Sequence, residues 1–190
     1  MNAIPALLRD IPEVIETDRL RLRSPHAGDG QAVYDAYEDS ETELKRWMAW
    51  AHGYSVEAAE MSARRGQINF LTRETLPLLI IRKTDGVYLG GTGLHDIDWS
   101  VPRFEIGYWL STRYTGNGYM TEAVIGLTNF CREQLQARRV TIRCDALNTR
   151  SRQVAERAGF ALESITARDR RGLLDQQLTD TLTFARTWSD

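Results

Sequence analysis

The chain has 190 residues, 42% of them hydrophobic and 26% charged, with a formal net charge of −2. That length suits one compact domain with an apolar core, and the near-neutral balance gives no overall pull toward nucleic acid or an anionic membrane. No stretch reaches the roughly 20 apolar residues of a membrane span, and two cysteines with three scattered histidines give neither a disulfide framework nor a metal cluster, which suits a reducing cytoplasm.

Residues 1–15 contain Pro5 and Pro12, lack a secretory leader, and are expected to be a flexible or peripheral part of a single 1–190 domain. Alternating Arg and Leu over 19–23 predicts a half-buried strand, ended by Ser24-Pro25. A helix is expected over 30–37, and two more over 41–71, broken near Gly53 with Ser55 as a cap. Residues 77–82 and 87–95 read as a hairpin around Asp85-Gly86, with Gly90, Gly91 and Gly93 marking a bulge or a close backbone approach. A strand follows over 103–110, then a helix over 119–137 whose apolar positions define one buried face. A strand over 140–144, a helix over 149–158 stopped by Gly159, and strands over 161–166 and 178–187 around a charged loop complete the chain. These elements predict an α/β (α+β) domain, a mixed sheet with helices on both faces.

Between the strand ending near Leu110 and the helix starting near Tyr119 lies Arg113-Tyr114-Thr115-Gly116-Asn117-Gly118. Two glycines let backbone N–H groups turn inward, and the following helix points its positive end at the same place, an anion site to which Arg113 adds a donor fork. A nucleotide-hydrolase loop would continue with Lys and Ser/Thr after the second glycine. Here Tyr119-Met120 follows, and the three-glycine dinucleotide spacing fails as well. On these residues alone the loop is either a phosphate grip or a plain glycine-rich turn.

The loop, with Thr121-Glu122-Ala123 after it, resembles the coenzyme A signature of GNAT acetyltransferases. The run from Asn148 through Ser151 to Gly159-Phe160 resembles that family's second motif, and Glu16-Thr-Asp-Arg19-Leu-Arg-Leu-Arg is similar to the opening of the RimJ/RimL type of ribosomal-protein N-terminal acetyltransferases. The resemblance implies a mostly antiparallel sheet of six to seven strands with a splayed parallel pair, and acetyl-CoA as cofactor. It implies that Trp109, Leu110 and Ser111 offer backbone groups to the pantetheine and thioester, that residues from Arg113 through Tyr119 (including Tyr114, Thr115, Gly116, Asn117 and Gly118) hold the pyrophosphate, and that Asn148 contacts the pantetheine. Asn148 could equally be a helix N-cap. The tyrosine acid of many relatives is replaced by Ala155, and Ser151 matches the proposed substitute in the RimJ/RimL branch. Ser151 is otherwise an ordinary first-turn serine.

Glu105 is the leading base candidate, on the same strand face as Gly107 and Trp109, with ion pairing as its other reading. His95 with Asp96, or water, is the alternative. Trp47, Trp50, His52 and Tyr54 either line a pocket or pack a core or dimer interface, and Arg168, Arg170, Arg171 and Asp175 either meet an acidic acceptor or face solvent. The expected activity is acetyl transfer to a primary amine, a protein N-terminal α-amine, whose lower pKa asks less of a base than lysine does. A small-molecule amine and a non-catalytic acyl-CoA-binding module remain open alternatives, as do monomer and homodimer.

Overall fold

A computed structural model describes residues 5–189. Among them the strands are β1 (Val14–Glu16), β2 (Leu20–Arg23), β3 (Leu76–Arg82), β4 (Tyr88–Asp98), β5 (Arg103–Leu110), β6 (Arg139–Asp145), β7 (Ala161–Arg171) and β8 (Leu178–Thr187). The helices are α1 (Gly30–Glu38), α2 (Glu41–Trp47), α3 (Val56–Thr72), α4 (Tyr119–Glu133) and α5 (Thr149–Arg157). All eight strands form one sheet in the order β1-β2-β3-β4-β5-β6-β8-β7.

Every neighbouring pair is antiparallel except β5 and β6. Those two are parallel and paired only at Arg103↔Arg139, Phe104↔Val140 and Glu105↔Thr141. Beyond that point β5 stays with β4 as far as Gly90↔Leu110, and β6 stays with β8 as far as Asp145↔Thr181. Each strand follows its outer neighbour, so a gap opens in the middle of the sheet.

Alternation along β5 decides which layer each side chain joins. Phe104 and Ile106 enter the main core with Val124 and Leu127 of α4. On the other face Trp109 packs against the cluster of Val33, Ala36, Ala59, Leu79 and Tyr88 beneath α1 and α3. The expected helices on both faces are present. The close-approach reading of the glycines holds: a Cβ on Gly90 would lie 2.3 Å from the Trp109 carbonyl oxygen, and one on Gly93 would lie 2.6 Å from that of Leu76. A register shift also falls between Ile80 and Ile81, opposite this stretch.

Several expectations are corrected. The sheet has eight strands rather than six or seven, because the three-residue β1 adds an edge. Of the segment expected to be peripheral, residues 1–4 lie outside the described residues, but Ile11 is buried in the main core. The helix over 119–137 stops at Glu133, since Gln136 takes a left-handed φ of 55°. The charged stretch after Thr166 continues β7 across a register shift, with Arg170 opposite Thr179 and Arg171 opposite Leu178. The Ser55 cap is present, its hydroxyl accepting from Ala58 N–H at 3.2 Å.

Candidate functional site

The loop between β5 and α4 is built to present backbone. Gly116 (φ 81°) and Gly118 (φ 77°) are left-handed, a region costly for other residues, and no atom lies within 4 Å of a Cβ on Gly116. Backbone conformation, not space, therefore asks for that glycine. Gly118 is the N-cap of α4 and no side chain caps the helix, which leaves its first N–H groups and the positive end of its dipole facing out. Asn117 ties the turn together by donating to the carbonyls of Tyr114 (3.2 Å) and Thr115 (3.1 Å). The start of the loop is pinned to the α1–α2 junction: Thr112 N–H donates to the Ser40 hydroxyl at 2.8 Å, and the Thr112 hydroxyl donates to the Asp39 carbonyl at 2.8 Å.

Arg113 is exposed and pairs with Asp39 at 3.0 Å. A second arginine, Arg19, stands beside the loop. Its Nη1 donates to the Asn117 carbonyl at 3.1 Å and its guanidinium lies 4.6 Å from the Tyr119 ring centroid. Its Nε donates to Glu122 at 2.6 Å. Burial alone would raise the Glu122 pKa, but hydrogen bonds from Thr17 and from the backbone and side chain of Arg19 hold it below the ordinary value. Glu122 is thus engaged by Thr17 and Arg19.

The gap between β5 and β6 joins two cavities. One, of about 560 Å³, is lined by Leu110, Gly116, Gly118, Tyr119, Asn148 and Ser151, among others. The other, of about 610 Å³, includes Trp50, Tyr54, His95, Tyr108, Arg143 and Ser151. Tyr108, Trp109, Asn148 and Ser151 border both. The site therefore has an anion-gripping side and an aromatic side with a narrow chemical junction between them.

At the junction Asn148 caps α5, its Oδ1 accepting from Ser151 N–H at 3.0 Å. The Tyr108 hydroxyl lies 3.0 Å from both the carbonyl oxygen and the hydroxyl of Ser151. Burial pushes the Tyr108 hydroxyl well above an ordinary tyrosine, outweighing the opposing hydrogen bond from Ser151. Cys144, buried on β6, also meets the Ser151 hydroxyl, and burial raises its thiol pKa. Ala155 is fully buried, where the usual tyrosine would stand.

Among the backbone groups expected to serve the thioester, Ser111 N–H donates to the Leu89 carbonyl at 2.8 Å, across to β4. By strand alternation Trp109 faces the same way, and Leu110 turns its N–H and C=O toward the gap. The Ser111 hydroxyl is buried and has no hydrogen-bond partner.

Glu105 lies behind this surface, 7% exposed, with one oxygen 2.8 Å from Arg143 Nε. His95 Nε2 is 3.8 Å from its other oxygen, too long for a hydrogen bond. His95 itself lines the aromatic cavity, and its ring fits because residue 107 is glycine: a Cβ there would sit 2.9 Å from His95 Nε2. Asp96 faces Arg103 at 3.2 Å rather than His95. Trp50 meets Trp109 at a tilt (ring centroids 5.6 Å apart) and Tyr54 edge-on (5.0 Å), and Trp47 borders both cavities. His52 instead bonds the Lys45 carbonyl at 3.0 Å. Among the described residues no group of three or more His, Cys, Asp or Glu could hold a metal, and no helix is long and apolar enough to cross a membrane.

Comparison with known proteins agrees with this geometry. The family model described as an acetyltransferase (GNAT) domain matches residues 19–161. The ribosomal-protein-serine acetyltransferase of Escherichia coli (strain K12) is 26% identical over 147 residues, covering 77% of this chain and 82% of that one. YdaF of Bacillus subtilis (strain 168) is 40% identical over 85 residues, and that match spans only 46% of its length. Among solved structures, the RimL ribosomal L7/L12 α-N-protein acetyltransferase in complex with coenzyme A has a TM-score of 0.83 at 22% identity, covering 92% of this chain and 98% of that one. The microcin C7 self-immunity acetyltransferase MccE, in complex with acetyl-CoA and AMP, has a TM-score of 0.82 at 22% identity, covering 90% and 94%. With the family model spanning the loop, the gap and the junction of α5, the chain belongs to the GNAT acetyltransferase family.

Proposed function

We propose that this protein transfers an acetyl group from acetyl-CoA to the α-amine of a protein N-terminus. The observation that carries this reading is the gap between β5 and β6, which joins an anion-gripping cavity to an aromatic one with Ser151 on both. The open amides at the start of α4 and the left-handed Gly116 and Gly118 fit a pyrophosphate, and the cavity beside Leu110 and Asn148 fits an extended thioester arm. Bound there, acetyl-CoA supplies an electrophilic acyl carbon and a thiolate leaving group.

The residues divide the remaining work. His95, on the acceptor side, takes the proton from the incoming amine; imidazole is an apt base near neutral pH. Glu105, clamped by Arg143, sits behind His95 and attracts it when it becomes positively charged. As the thioester breaks, the single Ser151 hydroxyl hydrogen turns from the Tyr108 oxygen to the departing sulfur, while the Tyr108 hydroxyl keeps the serine in place by donating to the Ser151 carbonyl. The backbone N–H of Leu110 turns into the gap as a donor for a developing oxyanion. Asn148 orders the first turn of α5 that carries Ser151.

An α-amine, with a reference pKa of about 7.7–8.0, is partly neutral near pH 7, whereas lysine at about 10.4 is not. A single half-exposed histidine suits the former. The likeness to the E. coli ribosomal-protein-serine enzyme supports the same acceptor class. The size of the aromatic cavity and the likeness to MccE favour a small-molecule amine as the second reading. The test is thiol release from acetyl-CoA with peptides carrying a free N-terminus, the same peptides blocked there but carrying lysine, and a panel of small amines. N-terminal acetylation is expected; modification of lysine alone, or of small amines alone, would overturn the proposal.

A further inference from the structure

Beyond His95 and Ser151 the aromatic cavity continues into a second depression of about 330 Å³, and the two share Trp47, Asp145 and Arg170. This depression gathers Arg46, from the last turn of α2, with Arg170 and Arg171 of β7. Many arginines elsewhere are matched to acids: Arg19 to Glu122, Arg23 to Asp29, Arg82 to Asp85 and Arg139 to Glu163. Those of the depression are not, among the described residues. Arg46 lies over the Trp47 ring at 4.8 Å, and Arg171 donates to the Gln176 carbonyl at 3.0 Å.

The same walls carry Leu147, Leu173 and Leu174 between the charges. Two carboxylates are also present. Asp145 accepts from Leu147 N–H at 2.9 Å and from the Thr179 hydroxyl at 2.7 Å, while Asp175 accepts from Gln177 N–H at 3.0 Å. They would repel a continuous polyanion such as RNA, which presents a charge at every step. A separate carboxylate on an aliphatic stem meets no such obstacle, since the stem covers leucine and the head group matches a guanidinium fork.

We infer that the acceptor is an acidic N-terminal peptide, whose amine enters beside His95 while an Asp or Glu a few residues along sits among Arg46, Arg170 and Arg171. This rests on the N-terminal acetylation reading and narrows its substrate. Unmatched arginines held open at the exit of an acceptor cleft select by charge, and they do so chiefly through binding rather than through the acyl-transfer step.

The test compares kcat/KM for peptides that share a first residue and carry Glu, Gln or Lys at the next few positions, assayed by thiol release with the full chain. The Glu series is expected to exceed the Gln series by about fivefold per engaged arginine, the upper end for an exposed ion pair. The difference should lie in KM and shrink in about 1 M salt, where charges are screened within about 3 Å. In Arg46→Ala/Arg170→Ala the Glu-to-Gln ratio should fall toward one, and in the paired Lys variants it should largely return. Thermal stabilisation by acetyl-CoA confirms that each variant folds, and the salt series on the unaltered protein stands without them. Equal rates on Glu and Gln peptides, or a ratio untouched by the double variant, would overturn the inference and leave N-terminal acetylation intact. Stronger inhibition of acetylation by an oligoribonucleotide than by a non-acetylatable acidic peptide would also overturn it, in favour of nucleic acid. Absence of any peptide acetylation would remove the acceptor reading itself, and this inference with it.

Discussion

Replacing Tyr108 by Phe removes one oxygen and nothing else from a partly buried ring between β5 and α5. That oxygen contacts the Ser151 hydroxyl and carbonyl, each at 3.0 Å. A neutral hydrogen bond contributes about 0.5–1.5 kcal/mol net, so losing the restraint on the serine hydroxyl should lower kcat by about 3- to 10-fold. KM for acetyl-CoA should stay within about twofold, because the anion loop contacts none of the altered atoms. The assay is steady-state thiol release on Tyr108→Phe, Ser151→Ala and the double variant. If tyrosine acts only by holding the serine, its removal costs nothing further once Ser151 is alanine, giving a coupling energy about equal to the single Tyr108 effect. Additive losses would refute the positioning role, as would an unchanged kcat in Tyr108→Phe alone.

His95→Gln should lower kcat/KM at pH 7 by about 10²-fold, the low end for a general base, and the deficit should narrow as pH rises past about 8 and the acceptor amine becomes neutral unaided. If Glu105→Gln abolishes turnover while His95→Gln is harmless, the two roles are reversed. Glu122 carries a stability prediction. Its folded pKa lies below its unfolded value, so its contribution is complete above the ordinary carboxylate range of about 4.3 and is lost as pH falls through the folded value. Thermal melts should therefore separate wild type from Glu122→Gln at pH 7 and bring them together at about pH 3; a constant offset would contradict this. Gly116→Ala should weaken stabilisation by acetyl-CoA and cost about 1–2 kcal/mol of folding free energy, a purely backbone penalty since the space around residue 116 is open, measured by denaturant titration.

What the sequence made legible was local. The Arg-x-x-Gly-x-Gly run specifies its own turn through left-handed glycines and a following helix, and the structure has that turn. The three residues of β1 fall below any periodic window, and the alternation of β7 disappears among the charges from Arg168 to Arg171. The junction chemistry was hidden for a different reason: Tyr108 and Ser151 lie 43 positions apart, and Arg19 reaches the loop from 98 positions away. Gly107 did carry a usable signal, a missing side chain between Glu105 and Trp109 on the acceptor face, and His95 fills that space.

Strand alternation along β5 puts Tyr108 on the same face as Phe104 and Ile106. What it could not supply is where the neighbouring strand ends its pairing. Phe104 and Ile106 meet a packed core because β6 is beside or near them. Two residues further the same face looks into a gap, and a tyrosine that would have been buried ballast becomes the support of the serine at the junction. The splay thus converts one unbroken pattern into two functions. It does so because β5 and β6 are each held by an antiparallel partner on the far side, Leu110 to Gly90 and Asp145 to Thr181, at the level where they let go of one another.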